Sequence, residues 1–166
     1  MVKIILDDVE ILNFCELTKK QSLEVLQMRN HYDVRKWMFN DNEILEEEHM
    51  EFIKSLAKCS TKLYFLVTQG NQQVGVINFT NINESDYSAE LGVFANLNAT
   101  IKGKGSILLN SAIEYSKKYL HLDNLNLEVF ADNKRAINLY EKFGFSQLGL
   151  SKHQNNNIVK MTLKCR

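Results

Sequence analysis

Apolar residues recur along this chain at two periods, and the points where the period changes mark out its elements. Residues 2–14 alternate like a strand, interrupted at Asp7 and Asp8. Thr18 and Gln21 have capping-box spacing, in which hydroxyl and carboxamide each satisfy a free amide of a helix start, and Leu23, Leu26 and Arg29 carry that helix to about Asn30. A helical turn is expected over 34–38. The acidic run at 43–51 then opens a second helix with the stripe Met50, Ile53, Leu56 and Ala57, its glutamates favoured by the helix dipole. Strand alternation returns over 63–67 and 74–79, joined by a polar turn at 70–73, and again over 88–94. A long helix starts at Gly103 and Gly105 and carries Ile107, Leu108, Ala112, Tyr115 and Tyr119 inward. Residues 125–130 form a short strand, 133–143 a helix closed by Gly144, and the segment from Phe145 a hairpin turning at 154–157. The order predicts an α/β fold with a mixed sheet of about seven strands, four flanking helices and helical crossovers near the centre. No linker interrupts it, so residues 1–166 are expected to form one domain.

Lys plus Arg and Asp plus Glu both number 20, so the formal net charge is zero and the broad positive field of a nucleic-acid binder is lacking. Any anionic ligand must then be held by a local device. Cys15, Cys59 and Cys165 are scattered, and His31, His49, His121 and His153 have no ligand spacing, so neither a disulfide framework nor a metal site is expected. The chain reaches Asp7 and Asp8 too soon for a signal peptide, and no apolar run approaches the roughly 18 residues of a membrane span. A cytoplasmic protein, bound to neither membrane nor nucleic acid, is the expectation.

The local device lies between the 88–94 strand and the long helix. Lys102, Gly103, Lys104, Gly105 and Ser106 put glycines where the helix opens, and amides at a helix N-terminus bind anions without net basicity. The Walker pattern fails for want of the upstream glycine, and a dinucleotide fingerprint lacks its third. Further on, Asn133, Ala136 and Tyr140 stand at offsets of three and seven, sharing one helix face, ahead of Gly144 and Phe145.

Together these segments resemble the Gcn5-related N-acetyltransferase (GNAT) superfamily, whose pyrophosphate loop is written Q/R-x-x-G-x-G/A and whose later signature is N-x-x-A-x-x-L-Y-x-x-x-G-F. The motifs cover about residues 88–145, with Thr100 at the usual Gln or Arg position. The resemblance implies a GNAT fold with splayed central strands and acetyl-CoA as the cofactor. Leu91, Val93 and Phe94 would line the pantetheine arm, the amides of 102–106 would hold the pyrophosphate, and Asn133 would orient the arm or the helix start. Tyr140 would protonate the departing thiolate. An ammonium acceptor must lose a proton before it attacks. Glu128, then Glu90, are the candidate bases, each a charge within an apolar strand.

In the first helices Arg29, Asn30 and His31, then Trp37, Met38 and Phe39, then His49 and Phe52, resemble the branch that acetylates UDP-linked amino-dideoxy sugars at the 4-amino group in pseudaminic acid synthesis for flagellin glycosylation. Tyr32 stands where that branch commonly has proline. The implied acceptor is a UDP-amino sugar, with Arg29 on phosphate, an aromatic on uracil, Met38 on the 6-deoxy face and Asn78 among the substrate contacts. The alternatives are a protein or peptide amine as acceptor, or an acyl-CoA-binding module without catalysis. The exposed edge of the last hairpin offers a pairing surface for a homodimer.

Overall fold

A computed structural model describes residues 3–166; position 2 of the expected first strand lies outside the described residues. Asp7 adopts a left-handed conformation (φ 55°), which reverses the chain. The expected single strand is therefore a hairpin of β1 (Lys3–Leu6) and β2 (Val9–Asn13). Among the described residues the sheet therefore has eight strands, one more than the roughly seven expected.

Thr18 caps α1 (Lys19–Asn30) with the reciprocal capping box expected from its spacing to Gln21. The expected turn at 34–38 is the four-residue helix α2 (Tyr32–Arg35), followed by turns, so the described residues hold five α-helices. In α3 (Glu46–Leu56) Leu56 is buried and Ile53 packs against the same core as expected, Met50 is half-buried, His49 is buried beside them, and Ala57 is exposed. The remaining elements follow the expected order: β3 (Leu63–Gln69), β4 (Gln72–Asn83), β5 (Ser88–Ala95), α4 (Lys104–Lys118), β6 (Asn124–Phe130), α5 (Lys134–Lys142), β7 (Ser146–His153) and β8 (Asn156–Lys164). Among the described residues no helix is long and apolar enough to cross a membrane.

All eight strands form one sheet in the order β1-β2-β3-β4-β5-β6-β8-β7, antiparallel except where β5 runs parallel to β6. Strand alternation sends successive side chains to opposite faces. Phe65 and Val67 of β3, with Ile77 and Phe79 of β4, join the larger core beneath α4 and α5, whereas Leu66 and Val76 pack with Val25, Met28 and Leu56 beneath α1 and α3. Each such fully buried side chain contributes about 1.5–3 kcal/mol relative to exposure. On α4, Leu108, Ala112 and Tyr115 are buried as expected, but Tyr119 is 47% exposed; it follows the last turn of the helix and stacks on Tyr115 from outside.

The site depends on one irregularity in this sheet. β5 and β6 pair only at Ser88, Ala89 and Glu90 with Asn124, Leu125 and Asn126. Beyond that point β5 stays on β4 to Ala95 while β6 stays on β8 to Phe130, and the ladder between them ends. The central strands splay.

Candidate active site

The splay opens a cleft of about 420 Å³. Its walls are the free stretch of β5, the end of β6, the start of α5 and the segment after α2. Leu91, Val93 and Phe94 line it, and past Glu90 the outward peptide groups of β5 face no strand, as an added extended chain requires.

Gly103 is the N-cap of α4 in a left-handed conformation (φ 71°), which turns the chain into the helix. At this start Ile107 N–H donates to the Gly103 carbonyl (3.0 Å). The preceding amides, of Lys104, Gly105 and Ser106, are those a helix start leaves without intrahelical acceptors. The Gln72 carboxamide fixes the approach, accepting from the amides of Thr100 (2.9 Å) and Ile101 (3.2 Å), and Lys104 Nζ donates to the Ala99 carbonyl (2.7 Å). Lys102 is exposed beside the turn. A Cβ at Gly105 would lie 2.7 Å from Leu139 Cδ2 of α5, so that flexible tip would have to move aside to admit one. Gly105 thus also lies at the contact between the two helices.

Asn133 is the N-cap of α5, its Oδ1 accepting from Ala136 N–H (3.2 Å), and it also lines the cleft with Ala136 and Tyr140. Tyr140 packs on Phe145 (ring centroids 5.7 Å apart), and burial pushes its hydroxyl up to about 12. The hydroxyl is thus protonated throughout the neutral range.

Glu90 and Glu128 both line the cleft from the face opposite α4 and α5. Glu128 is paired with Lys160 of β8 at 3.4 Å, and its side chain is 34% exposed. The same face carries Asn78, Thr80 and Tyr64, none but Asn78 expected from the sequence. Strand alternation could have found the other two, since Tyr64 stands opposite Asn78 and Thr80 opposite Glu90. Burial raises the Tyr64 phenol above its ordinary value, while its hydrogen bond with Asn78 works in the opposite direction. A side chain at Gly92 would collide with the Asn78 carboxamide, so this glycine makes room for it.

Trp37, Met38 and Phe39 line the cleft as well. They also line a second cavity of about 120 Å³ whose far wall includes Phe130, Asp132 and His153. Phe39 stacks on His153 (4.7 Å) and meets Phe130 edge-on (5.4 Å). Phe130 and His153 carried no sequence signal, because they come from strands far apart in the chain.

Five expected acceptor contacts lie elsewhere. Arg29 donates to the carbonyls of Asn40 (2.6 Å) and Asn42 (3.5 Å); burial, then the nearby Arg35 charge, lowers its pKa. Asn30 is bonded to Ile44, and the His31 ring caps α2 by accepting from Asp33 N–H (3.2 Å). His49 is 5% exposed, with Nε2 against the Ser22 carbonyl (2.9 Å), and burial lowers its pKa. Phe52 packs edge-on against Tyr64 (4.9 Å) from the smaller core. None of the five lines the cleft. Each spends its polar or aromatic group inside the fold. Among the described residues no cluster of three or more His, Cys, Asp or Glu is arranged to hold a metal.

Comparison with known proteins agrees with this geometry. Residues 26–145 match the model of the acetyltransferase (GNAT) family. The acetyltransferase PseH of Campylobacter jejuni (strain 81-176) is 38% identical over 138 residues, covering 83% of this chain and 85% of that one. The crystal structure of C. jejuni N-acetyltransferase PseH in complex with acetyl coenzyme A superposes with a TM-score of 0.76 at 32% identity, over 94% of this chain and 98% of the other. A spermidine N-acetyltransferase from Vibrio cholerae, solved with CoA and spermine, shares the fold with a TM-score of 0.85 at 20% identity, over 96% of each chain.

Proposed function

This chain belongs to the acetyltransferase (GNAT) family, and from that premise we propose that it is an acetyl-CoA-dependent N-acetyltransferase of pseudaminic acid synthesis, acting on the 4-amino group of a UDP-linked amino-dideoxy sugar. The observation that carries the reading is the splay of β5 from β6 with Tyr140 at its wall. The likeness to PseH, including the structure holding acetyl coenzyme A, supports the cofactor and the small sugar-nucleotide acceptor.

The residues present fit the cofactor. The edge of β5 offers peptide groups to a pantetheine arm, and the amides from Lys104 to Ser106, set by the Gly103 turn, offer donors to a pyrophosphate. Acetyl-CoA, when bound, supplies a thioester carbonyl and a thiol leaving group. Glu128, or Glu90, takes a proton from the acceptor ammonium, directly or through water, freeing the nitrogen lone pair for attack. As the C–N bond forms and the C–S bond breaks, the Tyr140 hydroxyl gives its proton to the sulfur and is restored by the second proton that the nitrogen sheds on becoming an amide; its high pKa keeps its own proton in place until then. Trp37, Met38, Phe39 and Asn78 hold the acceptor over the cleft.

The enzyme is assigned to the cytoplasm, and a homodimer through β7 belongs to the same reading. β7 is an edge strand with Leu148 and Leu150 exposed at 65% and 75%. Light scattering of wild type and Leu150→Lys tests it, with a monomeric wild type as the refuting result.

The function itself is tested by mass spectrometry after incubation with acetyl-CoA and a panel of UDP-amino sugars, peptides and polyamines. Acetylation of a UDP-4-amino sugar in preference to the others is expected. Turnover of peptides alone would replace the acceptor, and no turnover of any amine would leave only cofactor binding.

A further inference from the structure

Trp37, Met38 and Phe39 reach the cleft at the start of a segment, 36–45, that contains only turns, bends and irregular backbone. Trp37 and Phe39 are 40% and 42% exposed, so burial alone does not fix them. The tethers come from α1 and α2. Arg29 donates to the carbonyls of Asn40 (2.6 Å) and Asn42 (3.5 Å). Arg35 donates to the Asp41 carbonyl (2.8 Å) and faces the Glu43 carboxylate (3.8 Å). The Asn30 carboxamide closes a two-way bond with Ile44, donating to its carbonyl (2.8 Å) and accepting from its amide (2.9 Å). Every residue from 40 to 44 is thereby held by one of three side chains.

Two guanidinium groups are crowded together for this purpose, at an electrostatic cost that the carbonyls offset. Bonds from charged donors are the stronger class, and a planar guanidinium presents donors from separate nitrogens in a fixed fork that spans two carbonyls, which the single nitrogen of an ammonium does not.

We propose that Arg29, Asn30 and Arg35 are positioning residues that determine acceptor selection, by locking residues 40–44 and so presetting Trp37, Met38 and Phe39 over the cleft. The proposal rests on the acceptor side assigned above. A preset segment spares the acceptor the ordering cost on binding, so the tethers act on acceptor affinity, while the pyrophosphate end of the cofactor site, at the start of α4 on the opposite face of the sheet from α1, is left untouched.

The chain has one tryptophan, and it is Trp37. Its fluorescence therefore reports the segment without any substrate. The isosteric Asn30→Asp loses the bond to the Ile44 carbonyl and keeps the one from its amide; Asn30→Ala loses both, and Arg29→Lys retains the charge but not the fork. The expected result is a rise of about twofold in acrylamide quenching of Trp37 in Asn30→Ala, with Asn30→Asp and Arg29→Lys between it and wild type. For whichever amine the wild type acetylates, acceptor KM rises about tenfold while acetyl-CoA KM stays within about twofold. Unchanged quenching, an unchanged acceptor KM, or both KM values rising together with a fallen Tm overturns the proposal. A wild type that ignores UDP-amino sugars refutes the acceptor reading of the preceding section, while quenching and the KM split on the amine it does use still decide the tethers.

Discussion

Replacing Tyr140 by Phe removes one hydroxyl and leaves the ring in contact with Phe145. Burial is the cause of the hydroxyl's shift to about 12, so at pH 8 about one molecule in ten thousand is ionised. The group is thus an acid held in its donor form. A positioned acid contributes about 10²–10⁴-fold to a proton transfer, equivalent to about 3–5 kcal/mol of barrier. The stability change should be small by comparison, because the aromatic packing remains. The expected outcome for Tyr140→Phe is a kcat lowered by at least about 100-fold, acetyl-CoA KM within about twofold of wild type, and a Tm within a few degrees. Thiol release followed with a chromogenic disulfide gives kcat, and calorimetric titration with CoA gives affinity. The wild-type rate should also show no alkaline loss due to Tyr140 up to pH 10, since the folded group titrates near 12. A Phe variant turning over within about threefold of wild type would refute the assignment of the leaving-group proton to this residue.

Glu128→Gln should lower kcat/KM about 100-fold and flatten its pH dependence in the range where the acceptor amine deprotonates; if only Glu90→Gln does so, the base is Glu90. Gly103→Ala should cost about 1 kcal/mol through its left-handed backbone, whereas Gly105→Ala should be nearly neutral, because the flexible tip of Leu139 can move aside and helix propensity improves. Thermal melts of the two variants distinguish the cases. His49 makes stability fall in acid: below its unfolded pKa near 6.5 the unfolded chain binds a proton that the folded site resists, so the loss grows as pH drops through that value toward the lowered folded pKa. In His49→Gln, denaturant titrations should show a shallower stability slope between pH 6.5 and 5.

The features legible in the sequence are those with a local cause. Thr18 and Gln21 announce their helix because the capping box is closed within one turn, and Asn133 and Tyr140 reach one cleft because offsets of three and seven share a helix face. Glu90 and Glu128 stand out as charges in apolar strands, and both line the cleft. Residue type failed where the partner lies far along the chain. Arg29 looks like a phosphate ligand from its charge, yet its acceptors are carbonyls at 40 and 42, and any residue type supplies a carbonyl. His49 looks like a substrate group, yet it occupies the inward stripe of α3 because the Ser22 carbonyl offers its ring a bond. Gly105 fits the pyrophosphate motif, and its additional contact with the tip of Leu139 was not legible because helix docking sets it. The splay itself, where β5 and β6 part after Glu90, is decided by tertiary packing, and it entered the sequence reading only through family resemblance.

The central claim is that a thioester enters through the gap between β5 and β6 and is met there by the Tyr140 hydroxyl. A crystal structure of the protein with coenzyme A tests it most directly. The account predicts the pyrophosphate on the amides around residues 103–106, the pantetheine arm paired along Leu91 to Ala95, and the sulfur within hydrogen-bonding reach of Tyr140. Coenzyme A bound elsewhere, or a sulfur lying out of reach of that hydroxyl, would contradict it.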